Sequence, residues 1–423
     1  MTIRVVVTGA GVASPLGTGM AAFFAGLREG RSGIRSISSF DAQGFAARVA
    51  GEVPDFRSDE IPLPHPEASA LRRDPKGLFG LVAGREALAK ALGGSPLSHH
   101  FDHCRVGAHL ATGLEIFHAL DLRDHLNGNE LDRDRIRAAA LSAPPHAYLE
   151  IPSDLAVRCL VREAGMQGPV AVNVSACAAG TQAIGEAFLA IRDGLLDAAL
   201  TGGFDSMVNP LGVGGFCMLG ALSQTNHAQA SRPFDAERDG FVLGEGAGAL
   251  FLETLASARA RGAVILAEVL GYGSTLDAFR VSDPHEEQRG AMAAMRAALS
   301  DAGLSPADVD YINAHGTGTR KNDPAETAAI RAVFGQTPPP TSSTKSQIGH
   351  LIGAAGAVEA LATIFALHEQ ILPATINLRT PDPACTLDYV PNTPRPARVR
   401  VALSNSFGFG GQNACLILGA VRD

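Results

Sequence analysis

Apolar and polar positions along this chain follow two alternating periods. RVVVTGA at 4–10 is an apolar run of strand length, and PKGLFGLVAGREALAKAL at 75–92 carries a helical period. PVAVNV at 169–174 reads as a second strand and AAGTQAIGEAFLAIRDG at 178–194 as the helix after it. In that helix Ile184, Phe188 and Ile191, with Leu195 just beyond, share one face, and Gly194 supplies the stop. DAALTGGFD at 197–205 is a strand and turn. A second tier starts near residue 230, with strands GALFLE, AEVLGYG, VDYINAHG and NACLILG. Its helices are RGAMAAMRAALSDAG, PAETAAIRAVFG and LIGAAGAVEALATIFALHEQ. Strands alternating with helices predict an α/β layered fold with a largely buried sheet. Small-residue helices in a shared strand–turn–helix layout near 170–195 and 340–370 suggest an internal duplication. The charged stretch 120–145 breaks the pattern and reads as a surface excursion.

Composition narrows this picture. The 423 residues suit two or three average domains, or one large fused α/β unit. A formal charge of −8 gives no support to a nucleic-acid binder. The opening MTIRVVVTGAGVASPLG is a strand and turn without signal-peptide features. Glu359 and His350 interrupt the longest apolar stretches, so no membrane helix is expected. The 6 cysteines (104, 159, 177, 217, 385 and 415) form no CxxC pair, which argues against a zinc site or disulfide framework and fits a reducing cytosol.

Five segments are candidates for chemistry. GAGVAS at 9–14 starts like a dinucleotide fingerprint, but Ser14 replaces the third glycine and Pro15 follows, so a plain tight turn is expected. Cys177 in VNVSACAAGTQAIG sits at a strand-to-helix junction, where amide N–H groups favour a thiolate; the segment alone fits a packed core cysteine better. His315 in YINAHGTGTRKNDPAET lies at a strand end, where α/β folds place reactive groups, or is a turn histidine satisfied by hydrogen bonds. In the same segment Asp323, Pro324 and Glu326 have the spacing of a helix start. Lys345 and His350 in SSTKSQIGHLIGAAGAVEA stand among small and apolar residues, which argues for a polar pocket over a surface loop. SNSFGFGGQN at 404–413 is a glycine-rich loop around Phe407 and Phe409, able to offer backbone N–H groups to an oxyanion or to serve as a turn between strands.

Together and in this order, SACAAG, GVGGF, RPFDAERDGFVLGEGAG, NAHGTGT, STKSQIGHLIGAAGAVE and NSFGFGGQN closely resemble the elongating β-ketoacyl–acyl carrier protein synthases. The similarity runs from residue 3 to about 420. The resemblance implies the thiolase fold, a duplicated five-layered αβαβα architecture. Its halves would be residues 1–253, with the nucleophile and cap or dimer-interface insertions, and 254–423, with both histidines. It implies Cys177 as nucleophile, His315 and His350 as the catalytic histidines, and Lys345 paired with Glu326, with Asp323 in support. Phe409 and Phe407 would gate the site, with Gly408 and Gly410 in the same loop, and the N–H groups of Cys177 and Phe409 would form the oxyanion hole. Thr317, Thr319 and Ser282 would face the pantetheine arm, and Phe216 would lie near the nucleophile.

The implied activity is decarboxylative Claisen condensation of a Cys-bound acyl chain with a malonyl thioester. No cofactor or metal is implied; phosphopantetheine arrives on an acyl carrier protein. That partner would meet a local basic patch, for which Arg72, Arg73, Lys76 and Arg280 are candidates. A homodimer, or a dimer with a homologous chain-length-factor subunit, is implied as well. HGTGT in place of HGTST, SACAAG with Ser where Thr is frequent, and divergence over 110–165 depart from the fatty acid pattern. They leave open a specialised fatty acid or type II polyketide pathway. The alternatives to the main reading are a ketosynthase of a specialised type II polyketide or polyene pathway acting with a chain-length-factor partner, and a non-catalytic partner subunit, against which the presence of Cys177 speaks.

Overall fold

In the computed structural model, which describes residues 3–63, 70–72, 74–113, 125–128, 130–142 and 153–421, strand β1 (Val5–Ser14) is buried along its whole length. Then come β2 (Val106–Thr112), β3 (Val170–Asn173), β4 (Ala198–Ser206), β5 (Glu245–Thr254) and β6 (Ala267–Leu276). They are followed by β7 (Tyr311–Asn313), β8 (Thr341–Ser342), β9 (Val401–Gly408) and β10 (Gln412–Gly419). These strands pair in the order β8-β7-β9-β10-β6-β1-β5-β4-β2-β3. Each half repeats one pattern. β3, β2 and β4 are parallel and β5 and β1 antiparallel; β8, β7 and β9 are parallel and β10 and β6 antiparallel. The halves join where Val5–Val7 pairs with Ala267–Val269.

The helices that matter for the site are α1 (Pro75–Leu92), α2 (Leu155–Ala164), α3 (Ala179–Arg192), α4 (Arg289–Asp301), α5 (Asn322–Phe334) and α6 (Ala355–Glu369). Helices α1 and α2 cover the outer face of one half-sheet, and α4 and α5 cover the outer face of the other. Helices α3 and α6 lie between the half-sheets. Ile184, Phe188 and Ile191 of α3 share a core there with Val358, Leu361 and Phe365 of α6. Five α-β-α-β-α layers result. A central helix has no solvent face, which is why α6 is apolar all round. The stretch Ile352–Glu369 is by length and composition apolar enough to cross a membrane, but 89% of it is buried inside the fold, as in the core helix of a globular protein.

Several local expectations change. GAGVAS is not a turn: it lies within β1, where a Cβ on Gly9 or Gly11 would come within 2.1 Å of the Ala87 or Ala83 carbonyl oxygen. These glycines let α1 rest against the strand backbone. Helix α3 stops at Arg192, which leaves Leu195 70% exposed instead of on the apolar face. β3 is an edge strand with Val170 and Val174 exposed. The described part of the charged stretch forms a short hairpin and the exposed helix Arg133–Ser142, while 114–124, 129 and 143–152 lie outside the described residues.

Candidate active site

The two halves place matching devices face to face. After β3 the chain turns through Ala176, at φ +51°, into a one-turn 3-10 segment and then α3. Ahead of α6 it turns through Ile352, at φ +46°, into another 3-10 turn. Left-handed backbone at a non-glycine residue costs about 1–3 kcal/mol and persists where the surroundings enforce it. The first turn presents Cys177. The second follows Lys345 and His350. His315 arrives two residues after β7, so the Cys177 sulfur and one ring nitrogen from each histidine lie within 4.8 Å of one another.

All three are buried, at 2% exposure each. Burial pushes the Cys177 thiol up to about 11, while the Phe409 backbone N–H on its sulfur and the Lys345 charge pull it down. Burial thus outweighs the helix-terminal amides and favours the thiol form of Cys177. Burial, and then the Lys345 charge, hold both histidines well below their usual range, so both are neutral at pH 7.

The hydrogen bonds fix which nitrogen carries each proton. His350 Nδ1 accepts from the Ile352 N–H at 3.1 Å, and His315 Nδ1 accepts from the Lys345 ammonium at 3.4 Å. A neutral imidazole that accepts at Nδ1 carries its proton on Nε2. Each ring thus carries its proton on Nε2. The ring centroids are 5.2 Å apart at 83°.

Lys345 is 1% exposed, and its ion-pair partner is Glu359 of α6, not Glu326. Glu326 instead accepts from the His315 and Gly316 amides at 2.8 and 2.7 Å and from Asn405 Nδ2 at 3.1 Å. It fixes the backbone that carries His315 and does not touch the lysine. Asp323 works alongside it, accepting from the Phe234 and Gly318 amides at 2.7 and 3.1 Å. Neither acid caps its helix. α5 starts at Asn322, and its N-cap, Lys321, makes no side-chain capping bond, so the helix-start reading is replaced by one of loop anchoring.

The glycine loop closes the other side. Strands β9 and β10 form a hairpin whose turn, Phe409–Gly411, lies on the nucleophile: a Cβ on Gly408 would sit 3.1 Å from the Cys177 amide nitrogen. Gly410 takes φ +78°. Phe407 faces His315 with centroids 6.1 Å apart, and Phe409 stacks on Phe216 at 6.3 Å. Phe216 in turn meets Phe241, whose ring abuts His350 at 5.2 Å. Thr317 and Thr319 share a hydroxyl–hydroxyl bond of 3.0 Å. Ser282 is exposed and follows Val281, whose carbonyl receives the Gly410 N–H at 2.7 Å.

The basic patch divides. Lys76 is buried and paired with Asp74 at 3.6 Å, so it is not a surface residue. Arg73 lies outside the described residues. Arg72 and Arg280 are exposed, and Arg280 flanks Asp283, next to Ser282, together with Lys321.

The sequence matches the beta-ketoacyl synthase N-terminal domain over residues 2–258 and the C-terminal domain over 266–379. The chain belongs to the beta-ketoacyl synthase family. It is 42% identical over 417 residues to a 3-oxoacyl-[acyl-carrier-protein] synthase 2 of Synechocystis sp., covering 98% of this chain and 97% of that one. A Staphylococcus aureus protein of the same description is 38% identical, with 98% of each chain covered. Among solved structures, the ishigamide ketosynthase/chain length factor matches at TM-score 0.88 and 38% identity over the whole of both chains. A type II polyketide ketosynthase in complex with its acyl-carrier protein also matches at TM-score 0.88, with 33% identity over the whole of both chains. The five layers are those of the thiolase fold of this family.

Sequence reasoning passed over Glu359 and Phe241. The signal for Glu359 was a single acid in an apolar helix, which had served only as an argument against a membrane span.

Proposed function

We propose that this chain is a 3-oxoacyl-[acyl-carrier-protein] synthase that condenses a carrier-bound acyl chain with a malonyl thioester. The observation that carries the reading is the pair of neutral histidines that each bring a ring nitrogen within 4.8 Å of the Cys177 sulfur. In the first half-reaction the Cys177 sulfur bonds to the carbonyl carbon of an acyl thioester. The carbon–sulfur bond to the carrier's pantetheine breaks, and the thiol proton passes to the departing sulfur. The N–H groups of Cys177 and Phe409 receive the oxyanion.

In the second half-reaction the malonyl C–C bond to the carboxylate breaks and carbon dioxide leaves. The electron pair moves onto the thioester oxygen, where His315 and His350 donate. Neutral donors suit this task, because they stabilise the enolate without protonating its carbon; losing one such donor costs about 10²- to 10³-fold in rate. The enolate carbon then attacks the acyl-cysteine carbonyl and expels the Cys177 thiolate. Lys345 acts through His315, which it orients and keeps neutral. No cofactor beyond the carrier's phosphopantetheine enters this chemistry.

The carrier is proposed to dock near Arg280 and Lys321, beside Ser282 at the glycine loop, with Arg72 as a further basic contact. Thr317 and Thr319 would then meet the pantetheine arm. A second copy or a homologous subunit is proposed to pair along the free edge of β3. The cytoplasm is the proposed compartment, in keeping with the free cysteines among the described residues. Likeness to the ishigamide ketosynthase/chain length factor favours a second reading, a specialised polyketide pathway with such a partner. The complete Cys–His–His–Lys set argues against a non-catalytic subunit.

The test is a mass measurement of carrier products from acyl-carrier and malonyl-carrier substrates. Wild type should yield the 3-oxoacyl carrier. His315→Ala and His350→Ala should still acylate Cys177 but release carbon dioxide at least about 10²-fold more slowly. Undiminished decarboxylation in both variants would refute the assigned roles.

A further inference from the structure

Helix α3 carries the nucleophile turn at its start and also grips both strands of the hairpin that bears the glycine loop. Thr181 Oγ1 hydrogen-bonds Ser406 Oγ of β9 at 2.8 Å, fully buried. The next residue, Gln182, is 7% exposed and donates from Nε2 to Gln412 Oε1, at the first position of β10, at 3.3 Å. It also donates to Ser274 Oγ of β6 at 3.1 Å. Its Oε1 accepts from Ser175, the residue just before left-handed Ala176 and Cys177. The same Ser175 Oγ lies 2.5 Å from Asn173 Oδ1 of β3, so its single proton is shared between the two amide oxygens. One side-chain amide therefore ties the segment that precedes the nucleophile to the residue that follows the glycine loop.

We propose that Thr181 and Gln182 are positioning residues that clamp the Phe409–Gly411 turn over Cys177, so that loop closure and nucleophile alignment occur together. This deepens the condensing reading of the site and rests on it. With Gln412 unclamped the loop opens while the enolate exists, and water reaches the enolate carbon. That carbon then takes a proton from water, so the malonyl thioester becomes an acetyl thioester and carbon dioxide without carbon–carbon bond formation. The clamp thus acts on coupling, not on substrate binding.

The experiment measures the ratio of acetyl carrier to 3-oxoacyl carrier, with acyl-Cys177 preformed, for wild type, Gln182→Leu, Gln412→Leu and the double variant. The ratio should rise about three- to tenfold in Gln412→Leu, the weight of one net hydrogen bond, and at least as much in Gln182→Leu, which also loses its bonds to Ser274 and Ser175. The Michaelis constant for malonyl carrier should stay within about twofold, and the double variant should match Gln182→Leu, because Gln412→Leu removes a bond that Gln182→Leu already lacks. An unchanged ratio in variants that still elongate overturns the clamp, as do additive effects in the double variant. Failure of wild type to elongate would overturn the reading of the site itself. Should Gln182→Leu not fold, Gln412→Leu at its half-buried position decides alone, by the same rise or its absence.

Discussion

At Lys345 an ammonium is buried to 1% exposure with Glu359 as its ion-pair partner. Burial pushes the Glu359 carboxyl up to about 7 and the Lys345 charge pulls it down, so the two ions depend on each other. Replacing Glu359 by Leu should cost about 3–5 kcal/mol, because it strands a charge in the interior. Chemical denaturation measures this, and a Lys345→Met/Glu359→Leu double variant should recover most of the loss. Equal stability of Glu359→Leu and wild type would show that Lys345 has another counter-ion. The residue types at the site were legible in the sequence, because cysteine, histidine and lysine among small residues are conspicuous. Their partners were not. Glu326 and Glu359 are both single acids with helical neighbours, and only the packing of α6 against β9 decides which one meets Lys345.

Among the elements, the hairpin turn is held by glycines for reasons of space. A Cβ on Gly408 would stand 3.1 Å from the Cys177 nitrogen and 3.2 Å from that of Ala178. Gly408→Ala should therefore push the Phe409 N–H off the sulfur and slow Cys177 acylation by at least about tenfold, one oxyanion donor being worth more than that. The melting temperature should move little, since neither the central core nor the ion pairs are touched. Rapid-quench acylation against a melting curve checks both halves of the prediction. Helix spans were readable wherever one period ran unbroken, as in α6, whereas the glycines in the second half of β1 disguised it as a turn. The turns at Ala176 and Ile352 were not, because neither alanine nor isoleucine favours positive φ. Tertiary packing imposes that conformation. Helix α5 misled for a related reason: Asp323 and Glu326 have cap-like spacing, yet their carboxylates serve backbone from other segments.

Across the whole molecule, two copies of one topology enclose α3 and α6, so that each half brings its catalytic turn to the shared middle. The sequence hinted at this through the likeness of 170–195 and 340–370. The pairing order of ten strands depends on long-range registers that no local pattern encodes. Such a construction buries carboxylates. Glu245 of β5 accepts from Ser206 Oγ at 2.6 Å and the Val53 N–H at 3.1 Å, and burial pushes it up to about 7. Between the unfolded value of about 4.3 and 7 the native state holds more protons at this group than the unfolded chain, so its contribution to stability falls as pH rises. Glu245→Gln removes that dependence. The melting temperature of the variant relative to wild type should climb from pH 5 to pH 8 and level off above it; a difference independent of pH would contradict the buried-carboxyl assignment.

The central claim is that Cys177 carries the acyl chain between two half-reactions, and intact-mass spectrometry of the protein after incubation with an acyl-carrier thioester tests it most directly. The predicted result is a mass increase of one acyl group on Cys177 that disappears when malonyl carrier is added, with no increase in Cys177→Ala. Acylation that persists in Cys177→Ala, or an acyl adduct that malonyl carrier does not discharge, would contradict the account.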